Sequence, residues 1–227
     1  MPSSGQANFN LSFLDLAEEA YERCGKELRT GYDLRTARRS LNLLTLEWAN
    51  RGLNFWTLEE GNVPLVTGQE KYTLQSDTID LIEHVVRQYP DDPTRQIDTP
   101  VSRLAMVNYA TLPNKLIKGR PAQVAVDRQA SGVSAFVWPV PANDSYQLVF
   151  WRLRRIQDAG TGPETADVPF RFLPALTAGL AYYLSFKIPG ADKVGLEAEY
   201  TKQWMLAEES DRDRASFTVS PVVRKVG

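Results

Sequence analysis

The fold is decided by residues 41–56, LNLLTLEWANRGLNFW, and by residues 66–74, VTGQEKYTL. In the first stretch, leucines and a tryptophan recur at three- and four-residue spacing and stop before Gly52, as in an amphipathic helix that ends at a glycine. The second stretch is a turn that leads into a strand. This junction between a helical block and a β block indicates a chain of mixed α and β structure.

Helical patterns lie on both sides of the β block. They predict four long helices, at residues 12–24, 33–51, 174–187 and 191–214. Ser12 and Asp33 are the expected N-caps of the first two helices. The third is apolar nearly all round, which predicts that it is buried.

The second and fourth helices carry the predicted packing contacts of the bundle or of a subunit interface. These contacts are assigned to Leu34, Leu41, Leu44, Trp48, Tyr200 and Trp204. Leu43 and Leu46 add a second apolar flank to the second helix. A helix with two apolar flanks needs neighbours on two sides, from its own fold or from another subunit.

The middle of the chain, residues 57–169, is rich in prolines and β-branched residues and has strand patterns. Strands are predicted at residues 72–74, 79–88, 123–128, 133–138 and 146–155, with a short helix at 101–109. The predicted fold class is α+β. A four-helix bundle forms from residues 10–56 and 170–215, a small β-sandwich or barrel-like module (57–169) is inserted into it, and residues 216–227 form an extended C-terminal tail.

Composition narrows the class of protein. The 227 residues are 43% hydrophobic and 24% charged, which is typical of a globular chain. The net charge of −2 argues against a general nucleic-acid binder. The single cysteine, Cys24, fits a reducing cytoplasm and is expected to be a buried structural thiol. A polar N-terminus and the lack of a long apolar run predict neither a signal peptide nor a membrane span.

No pattern in the chain indicates catalysis, a metal or a cofactor. One histidine, His84, and one cysteine do not make a Cys/His metal site, and GxSxG, Walker A and GxGxxG motifs are absent from the sequence. His84 is expected to be a packed or surface residue. Neighbouring acids that could act in glycoside hydrolysis occur at residues 59–60 and 208–209, where solvated side chains are the simpler interpretation.

Three basic clusters and two tryptophans are candidate binding sites. The clusters are Arg35, Arg38 and Arg39; Arg152, Arg154 and Arg155; and Lys115, Lys118 and Arg120. Surface charge balanced by nearby acids is the simpler interpretation, and docking on an acidic partner is the alternative. For Trp138 and Trp151, core packing is favoured over exposed carbohydrate binding.

Three segments in order resemble one family of proteins. They are residues 41–74, residues 118–141, which contain KGRPAQVAVDRQ and FVWPVP, and residues 173–188, LPALTAGLAYYLSFKI. This order resembles the head-to-tail adaptors of short-tailed bacteriophages, also called tail accessory factors or tail tubular protein A. The resemblance covers residues 10–215.

The resemblance implies a structural virion protein and not an enzyme. It implies a dodecameric ring of copies under the portal protein, at the head-tail interface, that is assembled in the host cytoplasm. Such a ring continues the DNA channel, without specific DNA binding, and carries the tail nozzle protein. By position in the family, portal binding falls on Ser216, Phe217, Thr218, Val219, Ser220, Pro221, Val222, Val223, Arg224 and Lys225.

Two alternatives from other classes stay open at this point. One is a cell-wall hydrolase that uses paired carboxylates as acid and base. The other is a carbohydrate-binding module that uses Trp138 or Trp151.

Overall fold

The computed structural model describes residues 9–51, 55–158, 160 and 163–211. In this part the chain is α+β, as the sequence predicts. The helices are α1 (Phe13–Arg23), α2 (Gly31–Arg51), α3 (Met106–Ala110), α4 (Leu173–Ser185) and α5 (Lys193–Asp211). The strands are β1 (Leu58–Pro64), β2 (Lys71–Thr73), β3 (Thr78–Gln88), β4 (Ile97–Pro100), β5 (Ser102–Leu104), β6 (Lys118–Gly119), β7 (Gln123–Gln129), β8 (Gly132–Trp138), β9 (Val140–Pro141) and β10 (Tyr146–Arg154).

The first two helices begin at capping boxes. In α1 the backbone N–H of Asp15 donates to Ser12 Oγ, and the Asp15 carboxylate accepts from the backbone N–H of Ser12, so the predicted cap is confirmed. The Ser12 hydroxyl also donates to the Asp15 carboxylate at 2.6 Å, and this bond, followed by the one from the Ser12 N–H, holds the pKa of Asp15 below its ordinary value. The predicted cap of α2 is wrong, because Asp33 exchanges the same two bonds with Thr30. Thr30 is therefore the N-cap and Asp33 completes its capping box.

The helical part of the chain is built around α4. Helices α1, α2 and α5 all contact α4, which is buried because its sequence is apolar on nearly every side. At one end of this core, the ring centroids of Trp48 and Trp204 are 4.8 Å apart, and that of Phe172 lies 5.8 Å from each of them. One hydrophobic cluster thus joins side chains from both ends of the chain.

The middle of the chain forms two four-stranded sheets and a short two-stranded pair. Their strand orders are β1-β10-β3-β4, β2-β8-β7-β5 and β6-β9. The two larger sheets contribute to one buried cluster that includes Leu81, Val124, Val137, Leu148 and Phe150. This cluster is separate from that of the helices.

The five predicted strands are confirmed within one or two residues, as β2, β3, β7, β8 and β10. Strand β1 was missed because LEEGNVP is polar and contains glycine and proline. It forms because it pairs along its length with β10. There Gly61 lies against Phe150, and a Cβ atom on Gly61 would be 2.5 Å from the phenyl ring.

The predicted helix at residues 101–109 is wrong over its first half. Residues Ser102–Leu104 form β5, which pairs in parallel with β7, and only Met106–Ala110 are helical. The apolar residues of this segment gave an ambiguous pattern, and pairing with the neighbouring strand decided it.

Candidate interaction surfaces

The residues predicted to pack the second and fourth helices lie at the core of the helical part. Five are buried, and Leu34 is half-buried against the same cluster; the buried ones are Leu41, Leu44, Trp48, Tyr200 and Trp204. Leu44 and Tyr200 both reach the backbone of Gly179 in α4, where a Cβ atom would lie within 3 Å of each side chain. A side chain at position 179 would therefore push α2 and α5 away from α4.

A polar network ties α2 to α4 and α5 beside this core. Trp48 Nε1 donates to the Tyr200 hydroxyl at 2.8 Å, and the Tyr183 hydroxyl donates to Glu47 at 2.7 Å. Arg51 pairs with Glu47 and lies over the rings of Tyr200 and Trp204. Burial raises the pKa of Tyr200 to about 12, so the hydroxyl stays protonated as a donor.

The second flank of α2 faces away from this core. Leu43 and Leu46 are 55% and 53% exposed, and Tyr32 is also exposed. Together with Arg35 and Arg39 they form one line along the helix, at positions i, i+3, i+7, i+11 and i+14. We call this line the α2 outer stripe.

Positive charge gathers at the N-terminal half of the α2 outer stripe. Arg35, Arg38, Arg39 and the nearby Lys187 form no ion pair with any described residue. Lys187 donates to Ser40 Oγ at 2.7 Å, and burial together with the charge of Arg39 lowers its pKa. Asp33 lines the same pocket as Arg39 and Lys187, but its ion pair is with Lys26.

Helix α5 has a similar exposed line beside its buried side, which carries Tyr200 and Trp204. Its members are exposed and recur at i, i+4, i+7, i+11 and i+14, and they are Val194, Ala198, Thr201, Met205 and Glu208. Met205 is 60% exposed. Glu209 follows Glu208, and neither glutamate has an ion pair with a described residue. We call this line the α5 outer stripe.

Two of the three arginines in the cluster at residues 152–155 are paired with acids, while Arg155 is exposed. Arg152 is buried and pairs with Asp77 at 2.5 Å and with Glu59 at 2.6 Å. Arg154 pairs with Asp167 at 2.5 Å. The Arg152 hydrogen bond holds the pKa of Asp77 below its ordinary value. These arginines hold strands and loops together, and Glu59 is bound to one of them.

His84 and Cys24 are both buried. Only 7% of His84 is exposed, and neither ring nitrogen has a hydrogen-bond partner among the described residues. Burial, followed by the charge of Arg103, lowers the pKa of His84. The Cys24 thiol donates to the carbonyl of Ala181 at 3.2 Å, and burial raises its pKa to about 11. Cys24 is thus a structural thiol, as predicted.

The two tryptophans that are candidates for carbohydrate binding differ in exposure. Trp138 is half-buried, and its indole N–H donates to the carbonyl of Asn114 at 2.9 Å. Trp151 is 48% exposed on the outer face of the first sheet, between Glu60 of β1 and Glu83 of β3. Core packing was the wrong prediction for Trp151, because its neighbours on β10, Phe150 and Arg152, are the ones that point inward.

An open groove of about 1190 Å³ lies beside α1 and the start of α4. Its floor includes the exposed rings of Phe9 and Phe170, and acids of α1 form one wall. The predicted portal-binding residues 216–225 lie outside the described residues. Among the residues that are described, no three His, Cys, Asp or Glu side chains gather in a metal-binding group, and no helix combines the length and apolar character of a membrane span.

The chain has the features of a structural protein with outward helical faces, and the comparison with known families agrees. The family model of the SU10 adaptor protein matches residues 12–225, which is nearly the whole chain. The chain belongs to the SU10 adaptor protein family, and the resemblance to phage head-to-tail adaptors is confirmed. It is a structural component of a phage virion. No curated protein matches the chain.

Proposed function

We propose that this protein forms a ring, dodecameric by analogy with the adaptors it resembles, beneath the portal of a short-tailed phage. The ring continues the DNA channel from the head and carries the tail nozzle. The observation that carries this proposal is the adaptor-family match over residues 12–225.

The surface of the helical part supports assembly with other protein copies. Both α2 and α5 carry exposed apolar side chains, together with charges that form no ion pair with a described residue. A contact between two different faces of one chain closes into a ring when the rotation between copies allows it. The net charge of −2 suits a channel through which DNA slides, because a strongly basic lumen would retain the phosphates.

Each part of the chain has its own proposed role, and this division follows the architecture. The helices from residues 10–56 and 170–215 act as a four-helix bundle that forms the body of the ring, and residues 57–169 act as an inserted sandwich-like module. Separate hydrophobic clusters in the two parts support this division. Residues 216–225 dock on the portal, for which their apolar and basic composition suits an arm that orders or adds as a strand on binding.

Carbohydrate binding is a second candidate function, and one observation favours it. Trp151 exposes its ring beside Glu60 and Glu83, an arrangement that can stack on a sugar and accept hydrogen bonds from its hydroxyl groups. Quenching of tryptophan fluorescence by soluble cell-wall fragments, absent in Trp151→Ala, would favour it. The hydrolase alternative is less favoured at residues 59–60, because Glu59 forms an ion pair with Arg152.

The decisive measurement is the native mass of the full chain, alone and mixed with purified portal rings. We expect the mass of the mixture to correspond to about one adaptor chain bound for each portal subunit. A chain that stays monomeric in both conditions would contradict the proposal.

A truncation tests the docking arm separately. A chain that lacks residues 216–227 should keep the far-ultraviolet circular dichroism spectrum of the full chain and lose portal binding. Normal portal binding by the truncated chain would refute the role of the arm and leave the ring untouched.

A further inference from the structure

The two outer stripes of the helical part differ in charge, and within the part of the chain that the structure describes both are exposed. The α2 outer stripe carries Arg35 and Arg39 followed by Leu43 and Leu46. The α5 outer stripe carries the apolar Val194, Ala198 and Met205, with Thr201 among them, and ends in Glu208, beside Glu209. Each stripe is therefore an apolar patch next to a charged patch, with opposite charge on the two helices.

The distance between the apolar patch and the charged patch is also similar on the two helices. On α2 the arginine pair is centred seven to eight residues before the leucine pair. On α5 the two glutamates are centred about seven residues after the patch of Ala198, Thr201 and Met205. At about 1.5 Å per residue, both separations are about 11 Å.

Only an antiparallel arrangement of α2 and α5 brings the two apolar patches together and, at the same time, brings the arginines to the glutamates. With the helices antiparallel, the N-terminal arginines of α2 lie over the C-terminal glutamates of α5 while Leu43 and Leu46 cover the α5 apolar patch. With the helices parallel, the apolar patches can meet, but the arginines lie over Val194 and the glutamates have no cation opposite.

The charges beside the stripes do not cancel this complementarity. Lys202, on the flank of α5, lies 3.7 Å from Glu199 of its own helix. Glu197, on the other flank, interacts with Tyr182 and helps to raise the pKa of that phenol. Among the described residues, the cations of the α2 outer stripe and the glutamates at positions 208 and 209 thus have no ion pair.

We propose that the α2 outer stripe of one copy docks antiparallel on the α5 outer stripe of the next copy. The occupant of each stripe is a second copy of this chain, because the two complementary surfaces belong to the same molecule and both helices pack on α4 with these faces turned outward. The contact joins two different faces, so it repeats head to tail and closes a ring. This inference rests on the proposed ring and names the surfaces that build it.

Charge reversal on each stripe tests the contact. R35E/R39E and E208K/E209K each place like charges opposite one another, so each full-length variant should need at least about tenfold more protein for half-assembly, with portal rings present if the wild type requires them. The readout is native mass against concentration. K118E/R120E, a reversal of two exposed charges on the β module, is the matched control and should assemble like the wild type.

Two rescues show whether loss of assembly reflects the contact or damage to the fold. An equimolar mixture of the two double variants should assemble, because alternating copies place opposite charges at every contact. The quadruple variant R35E/R39E/E208K/E209K should also assemble by itself. Circular dichroism melts should show that every variant is folded.

The outcomes separate this inference from the proposed function. If the wild type forms rings and the double variants form them equally well, or if neither rescue restores assembly, the assigned contact is wrong while the ring remains. If the wild type does not assemble either alone or on portal rings, the proposed ring fails and the contact fails with it.

Discussion

The helical part and the β module satisfy their charged groups in different ways. In the β module, several arginines are paired within the fold, as in the bidentate contact of Arg87 with Asp98 and the burial of Arg152 against Asp77, while Lys118 and Arg120 stay exposed. On α2, Arg35 and Arg39 have no ion pair with a described residue, and they lie beside exposed leucines. The comparison teaches that the arginines of the two large sheets stabilise the fold of the β module, whereas those of α2 lie on a surface that suits another molecule.

The largest expected effect is on the free energy of unfolding, and it distinguishes the buried side of α2 from the exposed side. Leu44 is fully buried and Leu43 is mostly exposed, although they are neighbours in sequence. Leu44→Ala should lower the free energy of unfolding by about 2–5 kcal/mol, since it leaves a cavity against α4. Leu43→Ala should change it by no more than about 0.5 kcal/mol.

Urea unfolding at a concentration where the chain is monomeric measures both variants. Equal losses would mean that the outer side of α2 is covered within the chain, and the comparison of the two sides would fail. At concentrations that favour assembly, Leu43→Ala should in addition weaken the oligomer.

A smaller effect is expected from the buried arginine of the β module. Arg152→Met should cost about 1–3 kcal/mol, because its hydrogen bonds to Thr78, Asp77 and Glu59 are lost. The loss is limited because both acids are about half exposed and regain water. The pKa of Asp77 should rise towards its ordinary value.

Urea unfolding and a carboxyl NMR titration of Asp77 check this variant. Arg128→Met is the matched control, since Arg128 forms an exposed ion pair with Asp80 and should matter little. An unchanged Asp77 pKa in Arg152→Met would show that the contact is not formed in solution.

The smallest effect is a pH dependence that arises in the β module. His84 has a pKa below its ordinary value of 6.5, because burial, then the charge of Arg103, disfavour the imidazolium, while Glu83 opposes them weakly. The unfolded chain therefore binds a proton at His84 before the folded chain does. As pH falls below about 6.5, this difference lowers the stability of the fold.

Unfolding at several pH values from about 7.5 to 5.5 measures the effect. His84→Phe keeps a ring of similar size without the titrating group, so its stability should fall less over this range. If the wild type and the variant have the same pH dependence, His84 is not responsible.

Much of this architecture could be predicted from the sequence because the signals are local. The three-four spacing of α2, the wholly apolar α4 and the capping pattern at Ser12 each depend on residues within one element. The five alternating strands were predicted for the same reason. Strand β1 and the segment around β5 were missed because pairing with distant strands, and not local propensity, fixes their conformation.

The candidate surfaces likewise combine features that the local sequence indicates with features that only distant contacts decide. The sequence indicated that α2 has two apolar flanks and that its arginines lie on the polar side. It could not indicate which flank the fold would cover, or that Arg152 would be buried between acids from two other segments. Those outcomes depend on contacts across more than seventy residues of chain.

The sequence by itself determined the four long helices, five of the ten strands in the described residues, the α+β class and the membership in an adaptor family. Each of these follows from the periodicity of apolar residues and from the order of segments along the chain. The tertiary structure alone decided that Leu44 is inside while Leu43 and Leu46 are outside, because α4 can cover only one side of α2. It also left the α2 cations and the α5 glutamates outward, since the aromatic core and its polar network occupy the inner sides of both helices.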